Sequence, residues 1–435
     1  MKASKYNHFV EWNKFYFGVN VLTGCKLFLT ENQFQLLSNF ETTRGKLLTD
    51  DLETYDLLMT GGFIIDSTIN EFEILKVIHN RSVYNSAYKM TIMPTLDCNL
   101  RCWYCYEKHI QSRMAEGIMQ RVIIFVENIL KSNCCRDFEL DWFGGEPLIY
   151  FDEVVYPLSL KIKDLCDKYN VRFSNSVTTN GVLLNDKKIL KFKEICLYNF
   201  QITVDGYKTD HDISRIGIDK IGTYDKVINN INRINILCPE SHICVRVNYA
   251  IKTLANIEKM VDDINASPRI SFFFEKIWQL KKQKHDDMQA QDRLCAIKDY
   301  IVKRGNIYED RYYTYCRGHI CYADIYNQIV VNYDGSLFKC TARNFADVST
   351  SVGYLDESGS PKLNGNFYKR FQKIPFDNDL CRNCEIVPIC LGACSQKMIE
   401  DPHRLQKCDS KSNKLLSLQN ELYDNMFEYI QEKLG

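Results

Sequence analysis

Cys98, Cys102 and Cys105 set three thiols in one short stretch, CNLRCWYC, with Tyr104 directly before the last of them. Structural tetrahedral zinc normally takes four protein ligands, most often from paired C-x2-C units. Three thiolates from one loop suit a different metal group. A cubane 4Fe-4S cluster has four irons, so three cysteines leave one iron open to an exogenous ligand. The chain has 19 cysteines in all, and no export signal is evident in MKASKYNHFVEWNKFYF. A reducing cytosol keeps thiols free, so ligation explains such a count better than a disulfide framework.

A second cysteine field lies downstream. Cys316, Cys321 and Cys340 are followed by Cys381-x2-Cys384-x5-Cys390-x3-Cys394 and then Cys408, with Gly335 between Cys321 and Cys340. On spacing alone, two zinc ribbons are an alternative to iron-sulfur ligation. The other eight cysteines, at 25, 134, 135, 166, 196, 238, 244 and 295, fall mostly in helix- or strand-like segments and are expected as small buried apolar residues.

The elements that must position these thiols follow from periodicity. Strand-like runs at 90–95, 138–145, 171–181, 200–206, 243–251 and 270–277 alternate with helix-period segments such as AEGIMQRVIIFVENILK and TYDKVINNINRINIL. Six such βα units predict a parallel sheet, open or curled into a partial barrel, whose site lies at the carboxyl ends of the strands. CNLRCWYC follows the first strand, GGEP (144–147) ends the second, TTNG (178–181) the third and TVDG (203–206) the fourth. Residues 1–85 differ in texture: FYFGVNVLTGCKLFLT predicts a hairpin, TENQFQLL a capped helix start, and YDLLMTGGFII a helix leading into a strand. In QIVVNYDGSLFKC, Asp334-Gly335 predicts a hairpin turn. LLSLQNELYDNMFEYIQEKL predicts an amphipathic helix, and KKQKHDD (281–287) a solvated loop. His109 is expected at a solvated helix start. The expected domains are 1–85, 86–305 and 306–435.

Lys plus Arg and Asp plus Glu both number 55. This balance gives no basic field for nucleic acid, and no apolar run reaches membrane-spanning length, so neither is expected as a partner and the location is expected to be cytoplasmic.

The four loop motifs together resemble the radical S-adenosylmethionine (SAM) enzymes, whose CxxxCxxC signature matches Cys98, Cys102 and Cys105. The resemblance implies that the open iron chelates the methionine moiety of SAM and that Tyr104 lies beside the adenine. It further implies that Gly144, Gly145, Glu146 and Pro147 hold the methionine amino group. Thr203, Asp205 and Gly206 match the family's S/T-x-D-G strand end, Arg215 the arginine near the SAM carboxylate, and Asn180 a TNG segment. The second cysteine field resembles the SPASM extension of enzymes that modify peptides. By that resemblance two auxiliary 4Fe-4S clusters would use Cys316, Cys321, Cys340 and Cys394, and Cys381, Cys384, Cys390 and Cys408, giving three clusters in total. Residues 1–85 resemble a small winged-helix-like peptide-recognition domain, which would bind a leader peptide by strand addition.

The family implies a fold, an α/β partial (β/α)6 barrel of TIM type flanked by the recognition module and the SPASM domain. It also implies a chemistry: reductive cleavage of SAM to a 5'-deoxyadenosyl radical, hydrogen abstraction from a precursor-peptide residue, and a thioether, C–C or C–O crosslink. A flavodoxin or ferredoxin would supply the electron. Anaerobic sulfatase-maturing enzymes share both cysteine fields and form formylglycine, but they carry an Asp base after the cysteine that follows Gx4. Here Thr341 follows Cys340, and no general base is assigned. A non-catalytic zinc-ribbon interaction protein is the remaining alternative.

Overall fold

A computed structural model gives the structure of the protein and describes residues 1–132, 134–280, 284–309, 320–392, 394–401 and 411–434. The chain divides into two compact units: Ser86–Asp310 with Asn327–Tyr368, and Met1–Asn85 with Arg311–Tyr326 and Lys369–Gly435. The segment expected as one domain from 306 onward therefore contributes to both.

In the larger unit the parallel strands are β1 (Ala87–Ile92), β2 (Asp137–Trp142), β3 (Arg172–Thr179), β4 (Leu197–Thr203), β5 (His242–Tyr249), β6 (Ile270–Lys276) and the short β7 (Ile307–Tyr308). They pair in consecutive order. Such pairing needs a crossover after each strand, and amphipathic helices supply it. The helix Glu116–Lys131, for example, buries Val122, Phe125, Val126 and Leu130 at helical spacing against the sheet side. All six strands expected from the sequence are present, and the fold is the α/β architecture of a partial barrel.

One pairing is not visible in local pattern. β8 (Gln328–Val331) joins the free edge of β1 in parallel, Gln328 opposite Lys89 and Val331 opposite Ile92, and continues antiparallel into β9 (Ser336–Phe338), β10 (Gly353–Leu355) and β11 (Pro361–Leu363). Asp334-Gly335 forms the expected turn between β8 and β9, with Gly335 at φ +84°. Residues 284–287, expected in a solvated loop, instead begin the helix Lys284–Lys303. Residues 281–283 of that expectation lie outside the described residues.

The other unit holds an antiparallel sheet of Asn7–Trp12, Phe15–Asn20 and Lys26–Thr30, followed by helices Glu31–Ser38, Phe40–Asp50, Leu52–Thr60 and Glu71–Val83. Thr30 caps the first of these helices in a capping box with Gln33. Tyr6, Val10, Phe17 and Val19 share a core with Phe376, Ile386 and with Leu418, Leu422 and Met426 of the helix Lys411–Leu434. Phe28 stacks on Tyr429, and Trp12 meets Phe427 edge-on. Among the described residues no helix is long and apolar enough to cross a membrane.

Candidate SAM and cluster site

The loop after β1 is fixed by backbone pairing, not by helix. Arg101 N–H donates to the Ile216 carbonyl at 2.9 Å, Ile218 N–H to the Asn99 carbonyl at 3.2 Å, and Leu100 bridges Gly217. From the β2 end, Gly145 N–H donates to Thr95 at 3.2 Å and Glu146 N–H to Asp97 at 2.8 Å. This approach is feasible because there is no side chain in the way. A Cβ on Gly145 would sit 2.1 Å from the Asp97 carbonyl, and Gly144, at φ +118°, would bring one to 2.5 Å from that of Thr95.

Cys98, Cys102, Tyr104, Cys105, Gly144, Gly145, Asn180, Thr203 and Arg215 all line one cavity of about 200 Å³ that opens to solvent. Glu146 and Asp205 do not line it. The Glu146 carboxylate is fully buried and turned to the β3 end, where it accepts from Asn180 N–H at 2.7 Å, Thr179 Oγ1 at 2.8 Å and Leu148 N–H at 3.0 Å. Its position is that of a clamp joining the GGEP and TTNG loops. Asp205 likewise accepts from the Tyr104 hydroxyl and from Asn248 N–H, and Arg215 Nη1 donates to the Tyr104 oxygen at 2.6 Å. Burial raises the Asp205 carboxyl despite Arg215. Burial would also lower Arg215, but Cys102, Tyr104 and Asp205 outweigh it and hold the guanidinium charged.

The thiols have the surroundings of cluster ligands. Cys98 Sγ accepts from Leu100 N–H at 3.4 Å and from Asn180 Nδ2 at 3.8 Å. Burial pushes the Cys98 thiol up to about 12 and Cys105 to about 11, so as free thiols both are neutral at pH 7. Iron binding would deprotonate them. Among the described residues no three His, Cys, Asp or Glu side chains converge on the position of a single metal ion. A cubane asks for something else, since each thiolate binds a different iron. The Arg215 Nε is buried without a partner among the described residues, an unused donor in this site. The residues thus fit a 4Fe-4S cluster held by Cys98, Cys102 and Cys105 with SAM beside it.

Several lining residues carry no motif in the sequence. Arg246 and Asn248 alternate inward at the end of β5, and Glu275 to Gln279, from the last residues of β6 onward, close the wall. Period-two alternation in VRVNYAI is the signal that would have found the first pair. Glu107 also lines the cavity, and burial pushes its carboxyl up to about 8. His109 lines it too, with Nε2 3.5 Å from Cys105 Sγ, and no helix begins until Glu116, contrary to the expected helix start.

Behind the cavity, His211 is fully buried and accepts from Asp205 N–H at Nδ1 (3.3 Å), which leaves Nε2–H to donate to Thr223 Oγ1 at 3.0 Å. The Thr223 hydroxyl in turn donates to the Arg215 carbonyl at 2.9 Å. One neutral imidazole therefore sets the backbone of both Asp205 and Arg215.

In the smaller unit, Arg370 Nη1 donates to Asp324 at 2.9 Å and to Ser395 Oγ at 2.7 Å, tying the segment after Cys321 to the one after Cys394. Cys381, Cys384 and Cys390 are half-buried, and Cys316 and Cys408 lie outside the described residues. Of the eight cysteines expected to be buried, Cys166 and Cys238 are, whereas Cys134 and Cys295 are exposed. Both lie at solvated ends or faces of helices, where a thiol has no core to enter.

Residues 92–264 match the radical SAM superfamily. That span is a radical SAM domain, and the protein is an enzyme. Its likeness to particular proteins runs well past the domain. The chain is 26% identical over 345 residues to the cysteine-type anaerobic sulfatase-maturating enzyme of Clostridium novyi (strain NT), covering 70% of this chain and 87% of the relative. A solved structure of polyhistidine-tagged anSMEcpe with bound AdoMet shares 18% identity over 80% of this chain and 96% of its own, with a TM-score of 0.59. Streptococcus suis SuiB bound to precursor peptide SuiA covers 92% of this chain and 97% of its own at 14% identity and a TM-score of 0.50.

Proposed function

We propose that the protein is a peptide maturase that abstracts a hydrogen atom from a residue of a precursor peptide and installs a thioether, C–C or C–O crosslink. The observation that carries this reading is the antiparallel sheet of residues 7–30 with its following helices. Lys26–Thr30 is an edge strand of that sheet, the kind of edge to which a leader peptide adds as a further strand. SuiB, solved with a precursor peptide, shares the fold over 92% of this chain.

Bound in the cavity, the cluster and SAM would supply the reducing electron and the 5'-deoxyadenosyl radical. The chain's own groups do the rest. Cys98, Cys102 and Cys105 hold three irons, and the Gly144–Gly145 backbone and Arg215 orient SAM. Tyr104 and Thr203 line its position, and the walls from β5 and β6 face the substrate. The eight cysteines from 316 to 408 fit two auxiliary clusters by spacing, and a flavodoxin or ferredoxin would deliver the electron.

Formylglycine formation is the second reading, favoured by the likeness to the Clostridium novyi enzyme. Against it stands Thr341, whose place after Cys340 those enzymes give to an Asp base; here the Thr341 carbonyl accepts from the Tyr106 hydroxyl at 3.0 Å.

The test begins with an iron and sulfide count on anaerobically purified protein and on the Cys98→Ala, Cys102→Ala, Cys105→Ala triple variant. About twelve irons are expected, falling by about four, with release of 5'-deoxyadenosine from SAM abolished. Zinc in place of iron would sink the radical reading. Mass spectrometry of a cysteine-containing peptide substrate then separates the two products: crosslinking removes a pair of hydrogens and keeps the sulfur, whereas formylglycine formation expels it.

A further inference from the structure

The cavity holds a guanidinium that SAM and the cluster leave unused. Arg246 lines it from β5, half-buried, between Thr203 of β4 and Phe273 of β6 in the sheet register. Its side chain is fixed at Nε, which donates to Asn248 Oδ1 at 3.0 Å, and its guanidinium carbon lies 5.8 Å from the centre of the Phe273 ring. Asn248 is itself anchored, donating through Nδ2 to the Tyr104 oxygen at 3.3 Å and through its backbone N–H to Asp205 at 3.1 Å. Among the described residues the two Nη groups of Arg246 have no acceptor, and no carboxylate lies within ion-pair distance of them. Arg215 differs, because its Nη1 lies 3.6 Å from Asp205 and its charge is matched within the chain. A guanidinium is a permanent cation, and holding one half-buried without a counter-charge is unfavourable unless a ligand supplies that charge. Its planar fork suits a carboxylate, which can accept two parallel N–H···O bonds from it. SAM has a single carboxylate, which the family resemblance gives to Arg215, and the sulfonium and ammonium groups of SAM are cations that Arg246 repels. The substrate is the remaining source of an anion.

We propose that Arg246 receives a carboxylate of the substrate, which makes it a specificity-determining residue for peptides that bring an acidic side chain or a C-terminal carboxylate into the cavity. The inference rests on the reading of the protein as a peptide maturase. Attachment through Asn248 gives the contact a second consequence. The same asparagine reaches Tyr104 and Asp205, so the carboxylate is held at a fixed place relative to the cysteine loop and is not merely attracted to the cavity.

The experiment measures binding, without turnover, to the full, anaerobically reconstituted protein loaded with SAM. The probes are N-acetylglutamate α-amide, with a side-chain carboxylate, its isomer N-acetylglutamine, with an α-carboxylate, and the uncharged N-acetylglutamine amide. Calorimetric titration is expected to show at least one carboxylate binding more tightly than the uncharged amide, and the tighter isomer tells whether a side chain or a chain terminus is read. In Arg246→Gln this preference should fall about tenfold, with iron content and SAM affinity retained. Arg246→Lys, which keeps the charge and loses the fork, should recover part of it. Equal binding of all the probes to the parent protein overturns the proposal, and so does a carboxylate preference that survives in Arg246→Gln. A loss of SAM affinity in Arg246→Gln with the preference intact would likewise overturn it, by placing the fork on the cofactor. Failure of the maturase reading shows elsewhere, as the absence of a modified peptide product, and leaves these affinities as they are.

Discussion

The hydroxyl of Tyr104 donates to the carboxylate of Asp205, a residue 101 positions away in the chain. This bond fastens the cysteine loop after β1 to the carboxyl end of β4, and Arg215 and Asn248 add donors to the same tyrosine oxygen. Tyr104→Phe removes one donor from the buried Asp205 carboxylate, which keeps Asn248 N–H, and loosens the loop's tie to β4. SAM affinity should fall about tenfold, about 1.4 kcal/mol, while iron content is retained. Calorimetric titration of the reconstituted protein with SAM checks this, and an unaltered affinity would show the bond to be incidental.

His211 is held neutral, since burial, helped by Arg215, pushes it down to about 3. The unfolded chain takes up this proton near pH 6.5 and the folded chain does not, so the residue's stabilising effect is present above pH 6.5 and is lost as pH falls toward 3. The expected contribution is a slope of about 1.4 kcal/mol per pH unit over that window. Denaturant titrations between pH 4 and 7 should show a shallower acid loss in His211→Leu. The same variant should weaken SAM binding through Asp205 and Arg215, and His211→Asn, which keeps an amide donor and acceptor, should restore part of it.

Gly145→Ala should be more damaging than its size suggests. The added methyl would meet the Asp97 carbonyl at 2.1 Å, and that carbonyl also accepts from Glu146 N–H. Backbone has to move, so iron bound at the cysteine loop should fall by about four per chain with little change in the rest. Full iron loading of the variant would contradict this.

Arg370 is nearly inaccessible and pairs with Asp324, whose carboxylate also accepts from Ser395. Arg370→Ala leaves the half-buried Asp324 carboxylate with the Ser395 hydroxyl as its remaining side-chain donor and should cost about 1–3 kcal/mol. Thermal unfolding read in the presence and absence of denaturant would measure it, and a loss below about 1 kcal/mol would mean that water reaches the pair.

Much of the sheet and the cavity was legible in the sequence because each strand there ends in a motif with its own chemistry. The six runs that predicted β1 to β6 are continuous apolar or alternating segments bounded by glycine or polar turns, and GGEP, TTNG and TVDG mark where they stop. What was not legible depends on partners far along the chain. Residues 328–331 read as one arm of a hairpin, and no local pattern says that their other edge lies on β1. The Glu146 carboxylate was expected at SAM, but three donors from neighbouring loops claim it. Arg246 and Asn248 share one face of a strand whose period-two alternation is legible, but nothing local says that this face turns toward the cavity. His109 followed the same logic, since proximity to Cys105 depends on the fold of the loop rather than on a helix.

The parallel pairing of β8 with β1 also governs how the protein can be made. During synthesis β1 emerges first, yet the strand that covers its outer edge follows roughly 240 residues later, an interval of about 10–50 s at ordinary elongation rates. Through that interval a hydrophobic strand has an unsatisfied row of backbone donors and acceptors, the kind of surface that recruits other nascent chains. Expression yield should therefore depend on translation speed and on holding chaperones more than on the stability of the finished fold, and slow growth at low temperature with chaperone co-expression is the natural route to material for the iron measurements.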